Sequence, residues 1–221
     1  MFGRGIFFLL AVTLALVAIL FSNKTSTPVT HPKPSQWPGR NNTVLFVSNS
    51  ERGFANVLLA TSHAMLVEHS DIEVHYASFK NLAKEVSTIS RFAMSQNANV
   101  QSITFHTLKG PTFSGAIDSL GFDMDQGING PGISGLTKFL SNIQDVLMPW
   151  SGSAYLGLYR EVLAILDEVD PHVVAVDPLF GPGLDATRAQ GRNYAIVSPN
   201  ALKDRLAFMQ PWGSVFWKYP V

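Results

Sequence analysis

Residues 43–57, TVLFVSNSERGFANV, constrain the fold more than any other stretch. Thr43-Val44-Leu45-Phe46-Val47 is short, apolar and partly β-branched, and polar or turn residues bound it. That pattern fits a strand buried on both faces of a parallel sheet. Ser48, Asn49 and Ser50 are candidate helix N-caps, and Gly53 permits a tight bend before the helical run that follows. Strand, polar turn and helix opening make the first unit of a doubly wound α/β domain. Ligands of such domains sit outside the carboxyl ends of the strands, so residues 49–56 are expected to face one. The competing reading makes Gly53 an ordinary turn glycine.

The same alternation continues. Residues 53–68 read as a helix with Phe54, Val57, Leu58 and Met65 along one face and Leu59 and Leu66 beside it. Residues 71–78 alternate as a strand, with Ile72, Val74 and Tyr76 on one side and His75 on the exposed face. A helix over 79–94 and a strand over 100–105 complete a β-α-β-α-β run, which predicts a parallel sheet with right-handed crossovers. Residues 109–135 break the rhythm: Gly110, Gly115, Gly121, Gly127, Gly130, Gly132 and Gly135, with Pro111 and Pro131, predict a long irregular segment. Segments of that kind are usually functional or disordered. Helices over 136–147 and 154–169, a strand over 173–176, a short helix over 183–190 and a strand over 194–197 follow. No internal repeat is visible.

Ahead of this domain, residues 6–21 (IFFLLAVTLALVAILF) contain no charge. With their flanks they are about long enough to cross a hydrocarbon core of roughly 30 Å. Leu20-Phe21-Ser22-Asn23-Lys24 is a poor cleavage site for a secretory signal. Residues 1–22 are therefore expected to be a signal anchor, a single transmembrane helix addressed to the secretory pathway or endoplasmic reticulum. The alternative is the apolar part of a cleaved signal peptide. Residues 23–42, rich in Pro, Ser, Thr and Lys, predict an extended tether, and residues 43–221 the main domain. Hydrophobic residues at 46% and charged ones at 14% agree with membrane attachment. Sixteen basic and sixteen acidic residues give no net charge, so nothing advertises a nucleic-acid partner. With no cysteine, disulfides, thiolate metal sites and cysteine nucleophiles are excluded. Trp212, Phe216, Trp217 and Tyr219 end the chain in an aromatic tail with no closing pattern, the mark of an interface.

Few motifs carry chemistry. Gly130-Pro131-Gly132-Ile133-Ser134-Gly135 has the letters of a dinucleotide fingerprint but follows no predicted strand, so its context fails. No P-loop, G-x-S-x-G or H-E-x-x-H is present. His63 and His69 fall on different helix faces and would not share a metal. For His106 and His172, at strand boundaries, a structural role is the default. Asp177 is different. It follows the strand 173–176 directly, ahead of Pro178, Leu179, Phe180 and Gly181-Pro182-Gly183. A carboxylate there faces the same crevice as the first loop and could orient a base or bind a polar ligand. Equally, it could cap the next helix.

Val44-Leu45-Phe46-Val47 followed by residues 53–59, then residues 173–180, then Ser198-Pro199-Asn200 through Trp217-Lys218-Tyr219-Pro220, resemble the UDP-dependent glycosyltransferases of the inverting GT-B class, fungal membrane-linked members above all. The resemblance covers residues 43–221. It implies a Rossmann-like N-terminal lobe that binds a lipophilic acceptor, with Arg52, Gly53, Phe54 and Asn56 at the acceptor. It further implies a second, similar lobe that holds the UDP-sugar donor, and metal-free direct displacement at the anomeric carbon. In the family a first-loop histidine takes the acceptor proton and an aspartate after a later strand steadies it. Asp177 matches the aspartate. The histidine's position is Phe54 here, and the alternative position before the glycine is Arg52, which is always protonated. Glu51 is the one nearby carboxylate that could substitute. The donor lobe lies outside these residues, so the isolated chain is expected to be inactive and to hold no cofactor. A partner carrying the donor lobe would meet Trp212, Phe216 and Trp217. The alternative function is a non-catalytic, membrane-anchored ligand-binding or scaffold module.

Overall fold

The computed structural model describes residues 39–121 and 133–199. The predicted anchor, most of the tether, the start of the Gly-Pro-Gly segment and the aromatic tail lie outside them. In chain order the elements are β1 (Arg40–Val47), α1 (Arg52–Glu68), β2 (Glu73–Phe79), a 3-10 turn (Lys80–Leu82), α2 (Ala83–Gln96), β3 (Thr104–Leu108), α3 (Phe113–Ser119), α4 (Ile133–Leu147), α5 (Gly152–Val169), β4 (Pro171–Val176), α6 (Gly181–Ala189) and β5 (Tyr194–Ile196). The five strands form one parallel sheet in the order β3-β2-β1-β4-β5. This is the expected α/β, Rossmann-like arrangement, with β1 at its centre.

Strand alternation divides the core between two faces. Val44, Phe46, Val74, Tyr76 and Ala175 pack against Ala55, Leu58, Leu59 and Leu66 of α1 and Val86 and Ala93 of α2. Leu45, Val47, Ala77, Phe79, Val174 and Val176 pack against Leu158, Val162 and Leu166 of α5 and Ala186 of α6. Both faces of the central strands are thus covered, and truncating any of these large side chains costs about 2–5 kcal/mol. The buried stripe of α1 is Ala55, Leu58, Leu59, Ser62 and Leu66. Phe54, Val57 and Met65, expected on that stripe, are only half-buried at its margin.

Four local expectations shift, each for an identifiable reason. β1 starts at Arg40, so the last three residues of the predicted tether join the sheet. The Arg40 N–H donates to Asp170 O at 2.7 Å and its Nε to Val169 O at 3.1 Å. β3 starts at Thr104 because Ser90 Oγ draws the Ile103 N–H, at 2.9 Å, toward α2 and away from the ladder. The glycine-rich segment contains α3, whose N-terminus is capped by Thr112 Oγ1 accepting from the Gly115 N–H at 3.1 Å. His75 is buried, because β2 is flanked by strands on both sides and its second face is also covered. Among the described residues no helix is long and apolar enough to cross a membrane.

His75 belongs to a chain of polar contacts. Glu73 bridges Arg40 Nη2 at 3.1 Å and His75 Nε2 at 2.9 Å, and His75 Nδ1 lies 2.9 Å from His106 Nε2. With His75 Nε2 donating to the carboxylate, a neutral His75 accepts at Nδ1 and His106 donates from Nε2. Burial first, and the neighbouring His75 second, hold the His106 pKa below its ordinary value, with Glu168 opposing.

Two measurements test this description. Gly39 has φ +68°, and a Cβ there would lie 2.2 Å from Pro171 O, so Gly39→Ala is expected to lower unfolding stability in urea by about 2–4 kcal/mol. Stability should also fall as the solution is acidified below about pH 6.5, because the unfolded chain then binds a proton that folded His106 refuses. Glu73, held below its ordinary value mainly by its bond to His75, adds a further loss below about pH 4.5. The urea midpoint of His106→Asn should be flatter than wild type between pH 7 and pH 5.

Candidate active site

The strand order reverses between β2 and β4 on either side of β1, and the loops leaving β1 and β4 part there. In doubly wound sheets the ligand crevice opens at this point, and here residues 48–51 and 177–180 form the two loops that border it. Asp177 is wholly buried in its wall. Its N–H donates to Val47 O at 3.0 Å, its Oδ1 accepts from the Leu179 N–H at 2.9 Å, and its Oδ2 from the Asn49 N–H at 3.3 Å. One carboxylate therefore stitches the two loops together. The helix-capping alternative does not apply: α6 begins at Gly181 behind Phe180, and Asp177 closes the turn before it.

The first loop is held by its own side chains. Asn49 Oδ1 accepts from the Glu51 N–H at 2.7 Å, an Asx turn, which fixes Nδ2 as the other end of the amide. That Nδ2 is buried and has no hydrogen-bond partner among the described residues. Ser48 Oγ donates to Asn49 O, and Ser78 Oγ donates to Ser48 O at 2.9 Å. Tyr76, also buried, lies close enough to feel Asp177. Burial first, with that charge adding to it, pushes its phenol above the ordinary value. The bend is made by Asn49, and Gly53 does not make it: Gly53 is helical, and a Cβ there would meet nothing within 4 Å.

The predicted residues do not all converge. Arg52, Gly53 and Asn56 sit exposed on the first turns of α1 and Phe54 is half-buried. Asp177 lies beneath that loop rather than beside them. Glu51 is the N-cap residue of α1, and its Oε1 accepts from the Ser114 N–H at 3.1 Å, so it ties α1 to α3 across the mouth of the crevice. Trp212, Phe216 and Trp217 are outside the described residues.

An aromatic chain under the crevice escaped the sequence reading. Phe180 is edge-on to Phe79 and to Trp150, each at 5.8 Å, and Trp150 is edge-on to Phe113 at 5.6 Å. Each contact is worth about 0.5–1.5 kcal/mol beyond area burial. Gly183 lets α6 close onto this chain, since a Cβ there would lie 2.6 Å from Phe180 Cδ1 and 2.7 Å from Val47 Cγ1. The one sequence hint was Trp150 beside Pro149 in a short helix break.

Asp177→Ala would leave two N–H groups without an acceptor, and is expected to cost about 3 kcal/mol in urea unfolding. Asp177→Asn keeps one acceptor and should cost about half as much.

Comparison with known proteins gives this site a context. No protein-family model matches the chain. Over 183 residues it is 28% identical to Glycosyltransferase sdnJ of Sordaria araneosa, covering 80% of this chain and 36% of that protein. Among solved structures it is similar to the glycosyltransferase SsfS6 of Streptomyces sp. SF2575, with a TM-score of 0.45, 17% identity, and 69% of this chain against 38% of that one. The glycotransferase of kitacinnamycin gives a TM-score of 0.46 at 16% identity, with 80% and 38% covered. Glycosyltransferase VinC, solved in complex with DTDP, gives 0.44 at 16%, with 77% and 40% covered. The chain spans well under half the length of each of these proteins. In sequence it is similar to a glycosyltransferase, and it matches about a third of that relative.

Proposed function

We propose that these residues form the acceptor-binding, N-terminal lobe of a GT-B glycosyltransferase that moves a sugar from a UDP-sugar to the hydroxyl of a lipophilic acceptor. The observation that carries the reading is the similarity to Glycosyltransferase sdnJ across 80% of the chain. A crevice at a strand-order reversal, with a buried carboxylate in its wall, supports it, because doubly wound sheets bind ligands there. In this reading the acceptor oxygen attacks the anomeric carbon as the UDP leaving group departs, and a base removes the acceptor proton. Asp177 is then a positioning carboxylate. Arg52, Gly53, Phe54 and Asn56 border the acceptor. A donor lobe, reached through Trp212, Phe216 and Trp217, holds the UDP-sugar, and residues 1–22 anchor the protein as a single span in the endoplasmic reticulum or secretory membrane.

A second reading is a non-catalytic ligand-binding or scaffold module. Phe54 and Arg52 favour it, since neither accepts a proton where the family's base would stand.

The two readings separate in the laboratory. An antibody to this domain should detect a native polypeptide roughly twice the 24.1 kDa of these residues or more, and the 221-residue chain alone should release no UDP from a panel of UDP-sugars. In the native polypeptide, Asp177→Asn should lower kcat by about 100-fold with KM little changed. Glu51→Gln should leave kcat within about threefold, because the amide still accepts from Ser114, whereas loss of a true base costs about 100-fold or more. A native species near 24.1 kDa that releases no UDP would select the module.

A further inference from the structure

At the carboxyl ends of β2 and β3, beside the crevice, lies an open cavity of about 470 Å³. Phe79 and Leu108, both buried, give it an apolar floor, and Lys80 and Lys109, both exposed, line its rim. Its two walls are fastened from behind. Asn81 Nδ2 donates to Ser50 Oγ at 3.0 Å on the β2 side. On the β3 side the Lys109 N–H donates to Glu161 Oε2 at 2.8 Å, and Trp150 Nε1 to Pro111 O at 2.9 Å. The loop after β3 is thus pinned to α5 and to the aromatic chain, and the cavity is formed without a ligand.

Its charge is one-sided. No acidic residue lines it, and neither lysine side chain forms an ion pair among the described residues. Of the nearby carboxylates, Glu161 accepts from the Lys109 N–H of the β3 wall and Glu51 from the Ser114 N–H just beyond it, and neither lies within ion-pair distance of Lys80 or Lys109. An apolar floor under two unpaired ammonium groups complements a molecule with an apolar body and an anionic end.

We propose that this cavity binds an amphipathic carboxylate, with Lys80 and Lys109 contacting the anion and Phe79 and Leu108 the apolar body. The role of the bound molecule as acceptor rests on the transferase reading above, and in that case the acceptor is an acid rather than a neutral lipid. Binding itself needs no sugar transfer.

The test is calorimetric titration of the full 221-residue chain with 2-naphthoate and with its neutral methyl ester. The naphthoate should bind about fivefold more tightly than the ester, as two partly exposed ion pairs allow, and 1 M NaCl should narrow the gap. The double variant Lys80→Gln, Lys109→Gln changes only exposed side chains, so its urea midpoint should match wild type while the preference disappears. Equal affinity of wild type for both probes, a preference that survives the double substitution, or no binding of either probe at millimolar concentration would each overturn the inference. UDP release by the native-length polypeptide with neutral hydroxylated acceptors tests the transferase reading on its own. A failure of the charged cavity and a failure of the transferase therefore give different results.

Discussion

The pairing of β1 with β4 is the contact on which the rest of the structure depends. It brings Val44–Val47 against Val173–Val176 and places Asn49 within a hydrogen bond of Asp177, 128 residues away in sequence. Without it α5 and α6 have no face to cover, and the crevice has one wall. A closure over so long a loop costs little more entropy than a shorter one, since the cost grows only with the logarithm of length. Apolar burial on both faces of β1 offsets that cost: Leu45, Phe46 and Val47 are all excluded from solvent.

Asp177 turns this pairing into a site. A buried charge is costly unless its oxygens are satisfied, and here backbone N–H groups from both loops satisfy them. The carboxylate therefore fixes the distance between the loops. Glu51 does a comparable job at the mouth, and Trp150 and Phe180 do it with apolar contact underneath. The loops around the crevice are held by single long-range contacts of this kind rather than by secondary structure of their own.

The same construction gives the neighbouring cavity its character. Glu51 and Glu161 are held by backbone N–H groups outside ion-pair distance of its lysines, so the rim carries two lysines that are not ion-paired among the described residues. Uncompensated charge over an apolar floor selects by charge as well as by shape.

Period and composition marked the central strands: the apolar, partly β-branched runs at residues 43–47 and 173–176 fit strands buried on both faces of a parallel sheet, and Asp177 follows the second directly. They also placed the longer helices, because a 3.6-residue period survives any tertiary arrangement, but not the short α3 inside the glycine-rich segment. What they left open were features whose cause lies far along the chain. Arg40 to Asn42 are polar and read as tether, yet belong to β1: Arg40 pairs with Pro171 because the Asp170 and Val169 carbonyls accept from it, and Asn41 and Asn42 lie in the irregularity that follows. His75 alternates as an exposed residue, yet is buried because β3 lies beside it and its face is covered. Glu51 reads in the sequence as a carboxylate that could substitute for a base, and only the tertiary structure brings the Ser114 N–H of α3 to it. Sequence patterns record which face of an element is apolar; only the tertiary structure decides what meets that face, because hydrogen-bond and charge partners are chosen by proximity in space.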